Sequence, residues 1–70
     1  MKSFAEIMRN ARFSKRIKQK ELAEKAGVSI MTIANYESGK SVPSFHIAIK
    51  ILSLLGVDIK ELINGEGKLL

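Results

Sequence analysis

The chain contains no cysteine, which excludes disulfides and thiolate metal sites. Its single histidine, His46, cannot assemble an imidazole site. No apolar run reaches the roughly 20 residues that a membrane-spanning helix needs. The opening Met1–Lys2–Ser3 lacks the apolar stretch of a secretion signal. A soluble, cytoplasmic protein is the expectation. No stretch has the alternation of a strand, and there are no repeats, linkers or low-complexity segments. A glycine-rich phosphate loop is missing, and one histidine with scattered carboxylates gives neither a triad nor a carboxylate dyad. The expectation is therefore a non-enzymatic protein with no cofactor, no metal and no evident small-molecule ligand.

Acidic residues are also scarce at one end. In the first twenty residues Lys2, Arg9, Arg12, Lys15, Arg16, Lys18 and Lys20 face only Glu6, whereas the remaining fifty carry five basic and six acidic residues. The net charge of +5 is thus concentrated at one pole. A pole of that kind suits a polyanion, although a solvated basic face is a common alternative. Seventy residues allow one domain with one small core, held by helix packing alone.

Periodicity supplies the helices. Ser3–Phe4–Ala5–Glu6 has the form of a capping box, and Phe4, Ile7, Met8 and Ala11 make one helical stripe, predicting a helix over 4–13. A basic connector, 14–18, follows. The centre of the chain, from Gln19 to Gly39, reads as two short helices around a tight turn. Leu22, Ala23 and Ala26 share one face, Gly27 ends the first helix at φ > 0, and Ser29 caps the second. Ile33 and Tyr36 face back toward the first helix, and Gly39 closes the second. Pro43 keeps Val42 out of a helix, and Ser44 caps a helix predicted over 45–55. Its expected core stripe is Phe45, Ala48, Ile49, Leu52 and Leu55, widened by Ile47, Ile51 and Leu54. Asp58–Ile59–Lys60–Glu61 is a second capping box, opening a short helix to Ile63.

The spacing Gln19, Ala23, Gly27, Ile33, joined by Glu37–Ser38–Gly39–Lys40 and Pro43–Ser44, resembles the helix-turn-helix of the phage repressor and Cro family (XRE-like). The likeness continues through Gly56–Val57 to Glu61–Leu62–Ile63 and covers nearly all the chain. It implies an all-α, compact five-helix bundle of the lambda-repressor-like helix-turn-helix type. That is one domain over 1–70, with the helix-turn-helix at 19–38. It further implies a sequence-specific regulator of transcription, a repressor binding a palindromic operator in double-stranded DNA as a weak homodimer, with no membrane role. An antitoxin or adaptor-type interaction module on the same fold is the other reading. Two positions depart from the family, which usually has Gly where Arg16 stands and Ser or Thr where Lys18 stands. Arg at φ > 0 is strained and Lys is a poor N-cap, but both add positive charge.

With Ile33 on the core side, Met31 and Asn35 point almost directly away, at 100° per residue. Both lie where the resemblance implies base reading. Asn can pair with adenine and Met can touch a thymine methyl. Ile30 either joins them or packs near the turn. The resemblance gives Gln19 a phosphate contact, against a plain polar helix start. Ser29 and Thr32 lie on the flank that reaches phosphates, and Ser29 doubles as the cap. Lys40 is the natural phosphate anchor, with Lys15, Arg16, Lys18 and Lys20 as further backbone candidates or a solvated face. No Lys or Arg lies on the third helix, so a bidentate Arg–guanine contact is unavailable there and the readout leans to A·T pairs. The resemblance also implies a partly buried ion pair between Arg12 and Glu37, and a dimer surface around Ile47, Val57 and Ile59.

Overall fold

The computed structural model describes residues 3–58 and residue 60. They form α1 (Phe4–Ser14), α2 (Gln19–Ala26), α3 (Ile30–Ser38) and α4 (Phe45–Leu54), with no strand among the described residues. Of the fifth helix expected over 58–63, only Asp58 and Lys60 are described. The Asp58 carboxylate accepts the Lys60 backbone N–H at 2.9 Å, and the rest lies outside the described residues. The described part of the bundle therefore has four helices, not five.

Serine starts three of the helices. The hydroxyls of Ser3, Ser29 and Ser44 accept the backbone N–H of Glu6, Thr32 and Ile47 at 3.2, 3.1 and 3.3 Å. Each such cap is worth about 1 kcal/mol. The start of α2 is different, because Lys18 makes no side-chain cap bond.

All four helices end by one device. After α2, the Gly27 N–H reaches the Glu24 carbonyl and the Val28 N–H reaches that of Ala23. The same pair of backward bonds closes α3 through Gly39 and Lys40, and α4 through Gly56 and Val57. It also closes α1, where Arg16 bonds to Phe13 and Ile17 to Arg12. This closure needs a left-handed residue at its corner. Gly27, Gly39 and Gly56 sit at φ 75°, 79° and 71°, and Arg16 is forced to φ 57°. Arg16 is the only non-glycine residue with positive φ among those described.

The core joins all four helices. Met8 from α1, Leu22, Ala23 and Ala26 from α2, Ile33 from α3, and Ile51 with Leu55 at the end of α4 form one buried cluster. Ile7 packs on Leu52 beside it. Ala23 and Ala26 let α3 cross close over α2, and Val28 fills the turn. The stripe expected on α4 needs correction. Ala48, Ile51, Leu52 and Leu55 are buried, whereas Phe45 is 52% and Ile49 38% exposed. The helix is apolar on most of its circumference, so its own periodicity does not fix a unique inward face. The contacts with Met8, Leu22 and Ile33 choose Ile51 in place of Ile49.

Candidate functional site

The α2–turn–α3 unit presents α3 on a packed support. Ile33, wholly buried, pins the middle of α3 to the core. On its opposite side Met31 is 64% exposed, with Ile30 exposed beside it. Asn35 is half-buried, and no intramolecular hydrogen bond involves its side-chain amide among the described residues. Its backbone carbonyl is heavily used, taking the N–H groups of Lys40 and Ser41 and the Ser38 hydroxyl. The Ser29 and Thr32 hydroxyls meet each other at 2.9 Å at the helix start. Ser29 thus acts as cap and partner to Thr32, with its exposed side still open to an incoming group.

The far end of α3 is anchored by charge. Arg12 grips the Glu37 carboxylate with two donors, Nε to Oε2 and Nη2 to Oε1, the latter at 3.0 Å. Both residues are buried, so the pair is in the bidentate geometry that favours Arg over Lys. The remaining Arg12 nitrogen, Nη1, donates to the Ile17 carbonyl at 2.8 Å. Gln19 Nε2 adds a bond to Glu37 Oε1 at 3.1 Å. The Phe13 ring covers the guanidinium, 4.7 Å from its centroid. No buried side-chain polar atom is left without a partner among the described residues, which a low-dielectric pair requires.

These bonds draw three segments to one place. Because Arg12 bonds both Ile17 and Glu37, the end of the basic connector lies next to the end of α3. Arg16, Lys18, Lys20 and Lys40 are all exposed. Gln19 is half-buried, its side-chain Nε2 donating to Glu37, while its backbone N–H lies in the first turn of α2, which has no side-chain cap. Lys15 departs from the expectation. Its Nζ lies 3.0 Å from where a Cβ on Gly56 would stand, so it folds toward the end of α4.

Of the expected dimer residues, Ile47 and Val57 are half-buried and pack against the core. Ile59 lies outside the described residues. On and just before α4 the exposed large apolar side chains are Val42, Phe45, Ile49 and Leu54. Val42 and Phe45 rim an open groove with Phe4, Tyr36, Pro43 and Ala48. Two participants escaped the sequence reading: Phe13, the cover of the ion pair, and Arg9, whose Nη1 donates to the Glu37 backbone carbonyl at 3.0 Å. The spacing of Arg9 and Arg12, one turn apart on α1, was the available signal. No group of three or more metal-ligating side chains occurs among the described residues, and no described helix is long and apolar enough to cross a membrane.

Comparison with known proteins points to one family. Residues 8–62 match the model of a family described as helix-turn-helix. Over 44 residues the chain is 46% identical to an uncharacterised helix-turn-helix-type transcriptional regulator of Methanocaldococcus jannaschii, an overlap covering 63% of this chain and 67% of that protein. Another uncharacterised regulator of this type, from Bacillus subtilis, is 30% identical over 63 residues, 90% of this chain and 54% of the relative. A helix-turn-helix-type transcriptional activator of Enterococcus faecalis is 36% identical over 63 residues, again 90% of this chain but 31% of the relative. The chain thus spans about half or less of the last two proteins.

Proposed function

The chain belongs to the helix-turn-helix family, and we propose that it binds double-stranded DNA sequence-specifically and regulates transcription in the cytoplasm, as a repressor that sits on a palindromic operator as a dimer. The observation that carries this reading is α3 itself: a short helix pinned by buried Ile33 and Glu37, with Met31 and Ile30 turned outward. A helix held this way suits entry into the major groove. Met31 and Asn35 read base edges, with Ile30 beside them. Lys40, Arg16, Lys18 and Lys20 neutralise phosphates, and the flanking Ser29 and Thr32 hydroxyls donate hydrogen bonds to them. Gln19 contributes its backbone N–H at the positive end of the α2 dipole. One such unit covers too few base pairs for useful specificity, so two copies spaced by about 34 Å share the site. The dimer surface lies around Ile47, Val57 and Ile59, enlarged by exposed Phe45 and Ile49, and is weak until DNA completes it.

The test is selection of bound sites from random duplex DNA. A palindromic consensus rich in A·T at the contacted positions supports the reading. Enrichment of no sequence overturns it. Placing the selected site in a reporter promoter gives the sign of regulation, and activation there would overturn the repressor assignment alone. The exposed Val42, Phe45 and Ile49 support a second reading, an antitoxin or adaptor-type module that binds a protein partner through the α4 side.

A further inference from the structure

Glu37 is held in two ways. Its carboxylate takes Arg12 and Gln19, and its backbone carbonyl takes Nη1 of Arg9 at 3.0 Å. The second bond fills a gap that the local sequence leaves. The last turn of a helix has carbonyls without partners. In α3 the closing bonds from Gly39 and Lys40 satisfy Tyr36 and Asn35. They leave out the carbonyl of Glu37. The last turn of α3 carries no basic residue of its own, so the cation that faces the negative end of its dipole comes from α1.

Arg9 and Arg12 act differently on the same residue. A carboxylate hangs on rotatable bonds, so the grip of Arg12 restrains a side chain. Arg9 restrains the backbone, and with it the axis of the nine-residue helix. Ile33 fixes the middle of that axis in the core, and Arg9 fixes its end. Arg9 is half-buried and turned to Glu37, which takes its guanidinium away from the exposed basic set.

We propose that Arg9 is a positioning residue, which caps the C-terminus of α3 from α1 and so sets the angle at which the outer face of α3 meets DNA. This rests on the reading of α3 as the recognition helix. A loss of angle weakens every base contact together while leaving phosphate contacts on the exposed lysines in place. Arg9 thereby governs discrimination between sequences more than attraction to DNA.

The experiment uses the full chain, and duplexes enriched by the parent from a random pool. Affinity is measured for an enriched duplex, for the same duplex with one conserved pair changed, and across a salt series. Arg9→Met should lower the ratio of the first two affinities by roughly fivefold to a hundredfold, the worth of one good base contact, with the salt slope unchanged. Arg9→Lys, which restores a charged donor, should recover much of the ratio. Loss of thermal stability with an intact ratio in the folded protein overturns the proposal in favour of a purely structural bond. A slope smaller by about 0.9 per subunit overturns it in favour of a phosphate contact. If the parent enriches no consensus, the recognition-helix reading falls and takes this proposal with it. A parent that enriches one, beside an Arg9→Met variant of equal discrimination, overturns the proposal alone.

Discussion

Arg16 stands at φ 57° because the closure of α1 demands a left-handed corner, the corner that glycine fills at the other three helix ends. A side chain there costs roughly 1–2 kcal/mol, partly offset because glycine has more freedom to lose on folding. Arg16→Gly is expected to stabilise the fold by about 1 kcal/mol and to weaken binding to random-sequence duplex, since it removes a charge from the basic set. Urea unfolding checks the first effect and low-salt titration the second. An unfolding midpoint that falls would mean that the Arg16 side chain contributes more than its strained backbone costs. Asn35 makes the complementary case. Asn35→Ala should lose about 1–3 kcal/mol of discrimination at one position per half-site, with little change in the unfolding midpoint. If the selected consensus keeps that position, Asn35 does not read it. The corner at Arg16 was legible through the family resemblance, which puts glycine at that position. The inward turn of Gln19 was not, since an amide at a helix start serves a phosphate or a carboxylate equally well and only the approach of Glu37 decides.

Helices differed in how far their sequences determined them. The start of α1, the end of α2 and both ends of α3 follow from Ser3, Gly27, Ser29 and Gly39, each read directly from cap and corner chemistry, whereas α1 runs one residue past the expected Phe13 to Ser14. The inward face of α4 did not follow, because a helix with only His46, Lys50 and Ser53 as polar residues is compatible with more than one rotation. Its rotation is a property of the core it joins. The fixing of α3 against α1 is likewise a property of contact between elements. It predicts that breaking the Arg12–Glu37 pair at one partner costs far more than breaking a surface pair, about 3–5 kcal/mol. Arg12→Met leaves the Glu37 carboxylate buried with Gln19 as its main remaining donor. Denaturant unfolding of Arg12→Met, beside Arg12→Met with Glu37→Gln, tests this. The double variant should recover part of the loss, because a neutral amide tolerates burial better than an unpaired charge. Equal losses in the two would show that the charge is not what makes the single variant unstable.

Across the whole molecule the charge distribution sets how the protein meets DNA. With about three of the four basic residues Arg16, Lys18, Lys20 and Lys40 engaged at phosphates in each subunit, a dimer gives a log–log salt slope of about −5. Affinity measured over a salt series checks it, and a slope near zero on any duplex removes the electrostatic basis of the reading. The four hydrogen-bonded helix ends have a consequence of another kind, in the speed of assembly. Each closure joins residues no more than five positions apart, so most turns form without a search through the chain. Folding from local contacts is fast, on the order of milliseconds or less for helical domains of this size. Glycine already visits the left-handed corner in the unfolded chain, whereas arginine rarely does. The α1–α2 corner is then the last to close, and contacts formed after the transition state alter unfolding more than folding. Stopped-flow chevrons should therefore show the gain from Arg16→Gly almost entirely as slower unfolding, and a gain carried by the folding arm would place that corner among the first to form.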